Sequence, residues 1–326
     1  MSLTLVTGGA GFVGRHLVRK LKERGEAVRV FDLAPAENTG DVQGSVADAE
    51  AAARAVHDAA TIFHLAGNAQ LWARDGKAFD DANRRGTEVM LAAARRAGAK
   101  RFVHCSSLTT LVGRKTPIGA SSADETIALD PRDMLGPYPG SKRLAELAVD
   151  AAVVDGLDAV IAIPTEPLGP GDAGLTPPTR MILDFASGRT PAYIDCMLNF
   201  VPVDSLAEGL IAVRDRGRRG QRYLLGGENV AMEALLEAIG RLTGKAMPRQ
   251  RLPYAAAQLA GLVDTGIIAR LTRKPPKAPL TGVRLAGRRV SFSSEKAARE
   301  LGWRAGPFEP ALAETLQWFK AEGLLA

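Results

Sequence analysis

Glycines at positions 8, 11 and 14 follow directly on the apolar run Leu3 to Thr7 and lead directly into an amphipathic pattern. The stretch Thr7-Gly8-Gly9-Ala10-Gly11-Phe12-Val13-Gly14 spells G-x-x-G-x-x-G. Phe12, Val13, Leu17, Val18 and Leu21 then recur at helical spacing until Gly25. Strand, glycine turn and helix in that order form a dinucleotide fingerprint. The glycines let the backbone approach a pyrophosphate, which sits on the helix N-terminus. A second strand is predicted over Ala27 to Phe31, closed by Asp32. Asp32 lies 18 residues after Gly14, near the ~20 expected of a carboxylate that accepts ribose hydroxyls. Such a carboxylate repels a 2′-phosphate, and Leu33 and Ala34 supply no arginine to neutralise one. The pattern favours NAD over NADP, although an ordinary strand-end aspartate would look the same.

Further strands are predicted over Thr61 to Leu65, Arg101 to Cys105 and Ala159 to Ile163, with helical patterns between them. Strands alternating with helices at this spacing give an α/β fold, a doubly wound parallel sheet of the Rossmann kind. Asn199 to Val203 and a helix from about Asp204 to Arg214 are expected to return to that sheet. Residues 1–165 and about 195–222 would then form the dinucleotide-binding domain. About 166–194 and 223–326 would form a smaller C-terminal cap over the crevice.

Three features concern chemistry. Phe79, Asn83, Gly86, Met90 and Ala93 share one helical face. The amide of Asn83 must find hydrogen-bond partners there, either in the core or at a cofactor site. Ser106 and Ser107 close the fourth strand, where open α/β sheets bind ligands. Tyr138 and Lys142 stand four residues apart, one helical turn, in Gly136-Pro137-Tyr138-Pro139-Gly140-Ser141-Lys142. Leu144, Leu147, Ala148 and Ala151 are expected to pack that helix, leaving Tyr138 and Lys142 to project from its first turn. A phenol beside an ammonium ionises more readily, which suits a general acid/base. Alone, such a pair equally describes a surface tyrosine and a solvated lysine.

A chain of 326 residues with 46% hydrophobic and 24% charged residues suits a soluble globular protein. The two cysteines, Cys105 and Cys196, form no disulfide framework, and no basic leader or cleavage site opens the chain, so a cytoplasmic location is expected. His16, His57, His64 and His104 show no ligand spacing, and no metal is expected. The net charge of +6 is uneven. Residues 241–290 hold eleven basic residues against one acid, Asp264. No aromatic platform or DNA-reading motif accompanies them, so nucleic acid is not expected as a partner. Pro253 to Leu271 is mostly apolar and runs into Thr272-Arg273-Lys274-Pro275-Pro276-Lys277. This is either a cap helix with a solvated basic tail or, over 253–289, a peripheral contact with an anionic membrane at its inner face.

Together these residues resemble the extended short-chain dehydrogenase/reductase family, also described as NAD-dependent epimerases/dehydratases. The match rests on Thr7 to Gly14, Asp32, His64-Leu65-Ala66-Gly67, Asn83-Arg84-Arg85-Gly86-Thr87, Ser106-Ser107 and Tyr138-Pro139-Gly140-Ser141-Lys142. A narrower likeness is to hopanoid-associated sugar epimerases and dihydroflavonol-reductase-like proteins. It rests on Leu71-Trp72-Ala73-Arg74-Asp75, Pro177-Pro178-Thr179-Arg180-Met181-Ile182, Gly188 to Tyr193, Leu225 to Asn229 and Lys296 to Trp303. The resemblance implies that Ser107 holds the substrate oxygen, Tyr138 exchanges its proton, and Lys142 lowers the tyrosine pKa and binds the nicotinamide ribose. Asn83 then stands beside the site. NAD would lie along Gly8, Gly11, Phe12, Val13 and Gly14, then Asp32 and Leu33, with Ser45 and Val46 near adenine. Leu65, Ala66, Gly67 and Cys105 would follow, with Pro164, Thr165 and Pro167 at the far end. Asn68, Trp72, Thr109, Glu166 and Leu198 would face substrate. A homodimer through helices next to the active-site helix is implied.

The departures shape the functional expectation. Ser45 replaces an aspartate that usually touches adenine. Leu108-Thr109 replaces the acidic pair of sugar 4,6-dehydratases. Glu166 stands where nucleotide-sugar epimerases usually carry asparagine, and Leu198 where they carry arginine. A carboxylate gained and a guanidinium lost both disfavour a nucleotide diphosphate. The expected activity is NAD-dependent hydride transfer at a secondary alcohol or ketone of an apolar or lipid-linked small molecule. The alternative is a sugar epimerase that retains NAD through a transient keto intermediate. A non-catalytic NAD-sensing protein is the lesser alternative.

Overall fold

The computed structural model describes residues 2–325. Seven parallel strands form its main sheet, in the order Arg222–Leu225, Ala159–Pro164, Arg101–Cys105, Ala59–His64, Leu3–Thr7, Ala27–Asp32 and Val42–Gln43. Successive side chains along a strand point to opposite faces. Leu5, Phe31, Ile62, Phe102 and Ile161 therefore enter one core, and Val6, Phe63, Val103, Val160 and Tyr223 the other. Helices cover both layers, as a parallel sheet requires. Ala49–Val56, Gly86–Arg96 and Pro137–Val154 pack on the first face. Phe12–Glu23 and Val203–Arg216 pack on the second. The strand order reverses on either side of Leu3–Thr7, and a crevice opens at the carboxyl ends there.

The cap has its own core, which includes Leu168, Ile182, Phe200, Leu235, Leu312 and Phe319. Its three-stranded sheet pairs Glu166–Leu168, Met197–Pro202 and Glu228–Ala231. Residues 199–203 thus join the cap sheet rather than the main sheet expected for them. The chain returns to the main sheet as Arg222–Leu225, across the boundary expected at 222. Part of the C-terminal region also leaves the cap. Ala297, Leu301 and Trp303 pack into the second core of the main sheet, and Trp303 Nε1 donates to Ser205 O at 2.9 Å.

The Pro137–Val154 helix packs through a different face from the one its apolar spacing suggests. Tyr138, Ser141, Lys142, Ala145, Glu146 and Val149 are buried, whereas Leu147 is 39% exposed. The inner face is polar because it meets polar strand ends. Glu146 accepts Arg143 Nη1 at 2.8 Å and Arg222 Nη2 at 3.0 Å. It also accepts the hydroxyls of Ser106 and, at 2.8 Å, Thr110. One carboxylate ties the helix to the strand end that carries Ser107 and to the edge strand. Removing one member of a buried ionic cluster strands its partners, at about 3–5 kcal/mol. Glu146→Ala is expected to lose about that much in urea unfolding. A loss no larger than that of an exposed substitution would contradict this role.

Candidate active site

Backbone crowding builds the nucleotide side. Gly8 N donates to Phe31 O at 2.9 Å, which folds the turn onto the second strand. A Cβ on Gly14 would lie 2.0 Å from Gly8 O, so the helix start and the turn meet with no room for a side chain. Gly11 precedes the Phe12–Glu23 helix without a side-chain cap. The first N–H groups of that helix are left for an anion. Asp32 Oδ2 accepts Ala10 N at 3.0 Å and its Oδ1 accepts Ala34 N at 3.1 Å. A cavity of about 540 Å³ adjoins it, lined by Gly9, Ala10, Asp32 and Ala34. Arg15 and Arg19 of the first helix line it too, cations that the sequence reading had not placed there. Val46 is buried, while Leu33 and Ser45 are exposed. Thr165 Oγ1 is buried with no partner among the described residues. The glycine cradle, the bare helix start and this orphaned hydroxyl fit the pyrophosphate, sugar and amide groups of NAD.

The chemical side gathers Ser107, Tyr138, Lys142 and Asn83. Tyr138 and Lys142 leave the same turn of helix and are 7% and 6% exposed. Lys142 Nζ donates to Cys105 O at 2.9 Å, the last carbonyl of its strand. Burial pulls the Lys142 ammonium below its usual value. Burial also pushes the Tyr138 phenol up to about 12, against a hydrogen bond with Ser107 that lowers it. The Lys142 ammonium is not among the groups that move this phenol, contrary to the sequence expectation. Desolvation is the largest effect on the phenol in the protein alone. Ser107 Oγ accepts Thr109 Oγ1 at 3.0 Å and Thr109 N at 3.3 Å. Its own proton is left to donate.

Asn83 is buried and fully hydrogen-bonded close to Lys142. Its Oδ1 accepts Asn68 N at 2.8 Å, and its Nδ2 donates to Asn68 O at 3.1 Å and Ser141 Oγ at 2.9 Å. It lies in a π-helical turn, Asp80–Arg85, not in a regular α-helix. Such turns re-aim a side chain. A Cβ on Gly67 would fall 2.5 Å from Asn83 Oδ1 and 3.4 Å from Lys142 Nζ, so this loop presses on both groups. Asn83 thus links the Asn68 backbone to Ser141, one residue before Lys142.

Sequence reasoning missed the layer behind these groups. His64 and His104 sit on adjacent strands with ring centroids 5.6 Å apart. His64 is held by Thr7 and Thr87, and burial pulls it down to about 3. His104 is pulled well below its ordinary value by burial, then by Lys142. Neither ring nitrogen of His104 has a partner among the described residues. Both rings are neutral at pH 7, which spares Lys142 a second buried cation.

The substrate side is less polar. Glu166 accepts Asn199 N at 3.0 Å. Burial pushes its carboxyl up to about 8, with the Asn199 N–H opposing. Leu198 packs into the cap core. Trp72 and Asn68 are half-buried on the loop after the third long strand.

Residues 4–226 match the family model described as the NAD dependent epimerase/dehydratase family. A candidate dihydroflavonol 4-reductase of Synechocystis sp. is 33% identical over 98% of this chain and 94% of its own length. Sterol demethylase protein B of Methylococcus capsulatus is 33% identical over 99% of each. The crystal structure of gox2253 superposes with a TM-score of 0.85 at 33% identity, covering 100% of both chains. The UDP-glucose 4-epimerase of Thermus thermophilus, solved in complex with NAD, shares the fold at TM-score 0.76 and 24% identity, covering 98% and 99%. With the glycine cradle, the Ser107–Tyr138–Lys142 arrangement and this match over most of its length, the chain belongs to the NAD-dependent epimerase/dehydratase family, enzymes of the extended short-chain dehydrogenase/reductase type.

Proposed function

We propose that this enzyme transfers hydride at a secondary alcohol or ketone carbon of an apolar or lipid-linked small molecule. The observation that carries this reading is the buried Tyr138 hydroxyl beside Ser107 Oγ. NAD, held along the Gly8–Gly14 cradle and Asp32, would supply the hydride acceptor or donor. Ser107, fixed by Thr109 and Thr110, points its free proton at the substrate oxygen. Tyr138 exchanges the substrate hydroxyl proton. At about 12 it is held as the neutral phenol, the form that protonates an oxygen during ketone reduction. Lys142, anchored on Cys105 O, stands where a ribose hydroxyl would meet it.

Glu166 and Leu198 support the apolar substrate. A carboxyl with no cationic partner and an alkyl side chain offer nothing to a diphosphate. The name of the relative, sterol demethylase protein B, is in keeping with that reading, since a sterol is a largely apolar polycyclic alcohol. Asp32 favours NAD over NADP, with Arg15 the residue that could relax the preference. We place the enzyme in the cytoplasm. We also assign it a homodimer, through the outward face of the catalytic helix, where Leu147 and Val154 are exposed.

Three outcomes are expected. Spectrophotometry with NAD or NADH and a panel of apolar secondary alcohols and ketones should give turnover. Tyr138→Phe should lower it by about 10²–10⁴. Unchanged turnover in that variant would remove Tyr138 from the chemistry. Interconversion of nucleotide sugars without net cofactor change would select the epimerase, and NAD binding with neither activity would select a sensor.

The second outcome concerns pH. The folded state favours the protonated Glu166 carboxyl, so this contribution to stability is complete below about 4.5 and fades as pH rises through about 8. Glu166→Gln has no proton to lose. Its melting temperature should therefore rise relative to wild type between pH 5 and pH 9, by about 2–4 °C per kcal/mol. A constant difference would mean that Glu166 titrates normally. Third, Leu147→Asp should convert the dimer to a monomer in multi-angle light scattering. A dimer that survives it uses another face.

A further inference from the structure

The segment Tyr254–Val263, Asp264–Ile268, Ala269–Thr272 is a continuous helix with a π-turn in its middle. Beyond Tyr254, which packs against Gly287, its apolar side chains are sorted by size. The residues that face the protein are Ala257, Gly261 and Ala269. The large ones face outward: Leu259 is 64% exposed, Leu262 47%, Val263 40%, Ile267 54%, Ile268 47% and Leu271 79%. An ordinary surface helix does the reverse. The small inner face permits close approach, since a Cβ on Gly261 would lie 3.3 Å from Ala278 O. The polar side chains also turn inward. Asp264 accepts Ala278 N at 2.9 Å, and Thr265 Oγ1 accepts Leu280 N at 3.0 Å. Immediately beyond the apolar face, Arg270, Arg273, Lys274 and Lys277 are exposed. Asp264 is the sole acid of residues 241–290 and is tied inward. Soluble monomers rarely leave a contiguous apolar patch of this kind without an occupant.

We propose that this face docks peripherally on an anionic lipid surface. Apolar side chains sink among the acyl chains, and the four cations meet the headgroups, a pairing that interfacial helices use. Cations without acids suit anionic phospholipid. A second copy of this chain would bring the same cations against its own. No helix among the described residues is long and apolar enough to cross a membrane, so the contact is a surface one.

The position gives the docking a purpose. From Ala278 the chain passes into the helix Leu280–Ala286, which roofs the crevice. A Cβ on Gly136, two residues before Tyr138, would meet Thr281 Oγ1 at 2.3 Å. One on Gly282 would meet Leu71 Cδ1 at 3.0 Å, beside Trp72. The docked face thus backs directly onto the roof, and a lipid-borne substrate reaches the crevice without crossing water. That delivery role rests on the apolar-substrate reading, whereas the docking itself does not.

Vesicle co-sedimentation of the full chain tests it. Vesicles of phosphatidylcholine with about one-third phosphatidylglycerol should bind the protein, pure phosphatidylcholine should bind it less, and salt should weaken the difference. The double variant Ile267→Glu/Leu271→Glu changes only exposed side chains, so its melting temperature should hold while its partitioning falls at least about tenfold. Replacing Arg273, Lys274 and Lys277 by alanine should abolish the preference for anionic vesicles. The proposal is overturned if wild type binds neither vesicle. It is also overturned if the double variant binds as well as wild type, or if that variant instead dissociates a wild-type assembly seen by light scattering. Vesicle binding without turnover of any apolar alcohol or ketone would retain the docking and remove the substrate reading.

Discussion

An ammonium buried at the end of a parallel strand sets the terms for the rest of this site. Lys142 reaches the last carbonyl of Arg101–Cys105, and a charge taken out of water must be paid for in nearby dipoles. The surroundings are arranged accordingly. His64 and His104 stay neutral beneath it, so no second cation competes. Asn83 holds the Asn68 backbone on one side and Ser141, one residue before Lys142, on the other. Glu146, one turn further along the helix, carries the compensating negative charge, shared with Arg143 and Arg222. The catalytic helix can bring polar groups inward only because the strand ends and loops opposite it are equally polar.

That arrangement separates positioning from chemistry. Ser107 and Tyr138 are the two groups whose protons remain free for a substrate. Several groups around them are tied down. Thr109 and Thr110 fix the serine loop, Glu146 fixes Thr110 and Ser106, and Gly67 lets the next loop close against Asn83. Rigid support of this kind is what proton transfer over one hydrogen bond requires. The phenol of the protein alone lies high because it is buried, with the hydrogen bond to Ser107 opposing.

Local signals were legible and long-range ones were not. The glycine turn, Asp32, Ser107 and the Tyr138–Lys142 spacing each lie within a few residues, and backbone geometry carries them directly to the crevice. The packing face of the catalytic helix was misread for a physical reason. Periodicity assigns the apolar side to the core, yet here the core side holds Ser141, Lys142 and Glu146, and Leu147 faces out. Glu146 offered a visible i, i+3 pairing with Arg143, but its partner Arg222 lies 76 residues away on an edge strand that the pattern did not reveal. Residues 199–203 have the composition of a buried strand. Composition does not say which of two sheets takes the strand, and the cap sheet claims it through Glu166–Leu168 and Glu228–Ala231. Adjacency to Lys142 suggests a readily ionised Tyr138, and burial instead pushes the phenol up.

Polarity is distributed unevenly between the two halves of the crevice, and this bears on what the fold accepts. On the nucleotide side a bare helix start and a glycine cradle suit an anion, while the cavity wall beside them mixes Arg15, Arg19 and Lys22 with Glu23, Asp32, Glu37 and Asp41. Glu166, expected to face substrate, is driven towards its neutral form by burial, and Leu198 belongs to an apolar core. Arg284 of the helix Leu280–Ala286 reaches Leu135 O at 3.4 Å, and Arg289 pairs with Asp195. Arg270, Arg273, Lys274 and Lys277 lie at the surface beyond the roof, next to the exposed leucines and isoleucines. Positive charge gathered at the surface beside an apolar helix face, and a buried carboxyl held towards its neutral form at the expected substrate position, are the two asymmetries on which the proposals of lipid docking and of an apolar substrate rest.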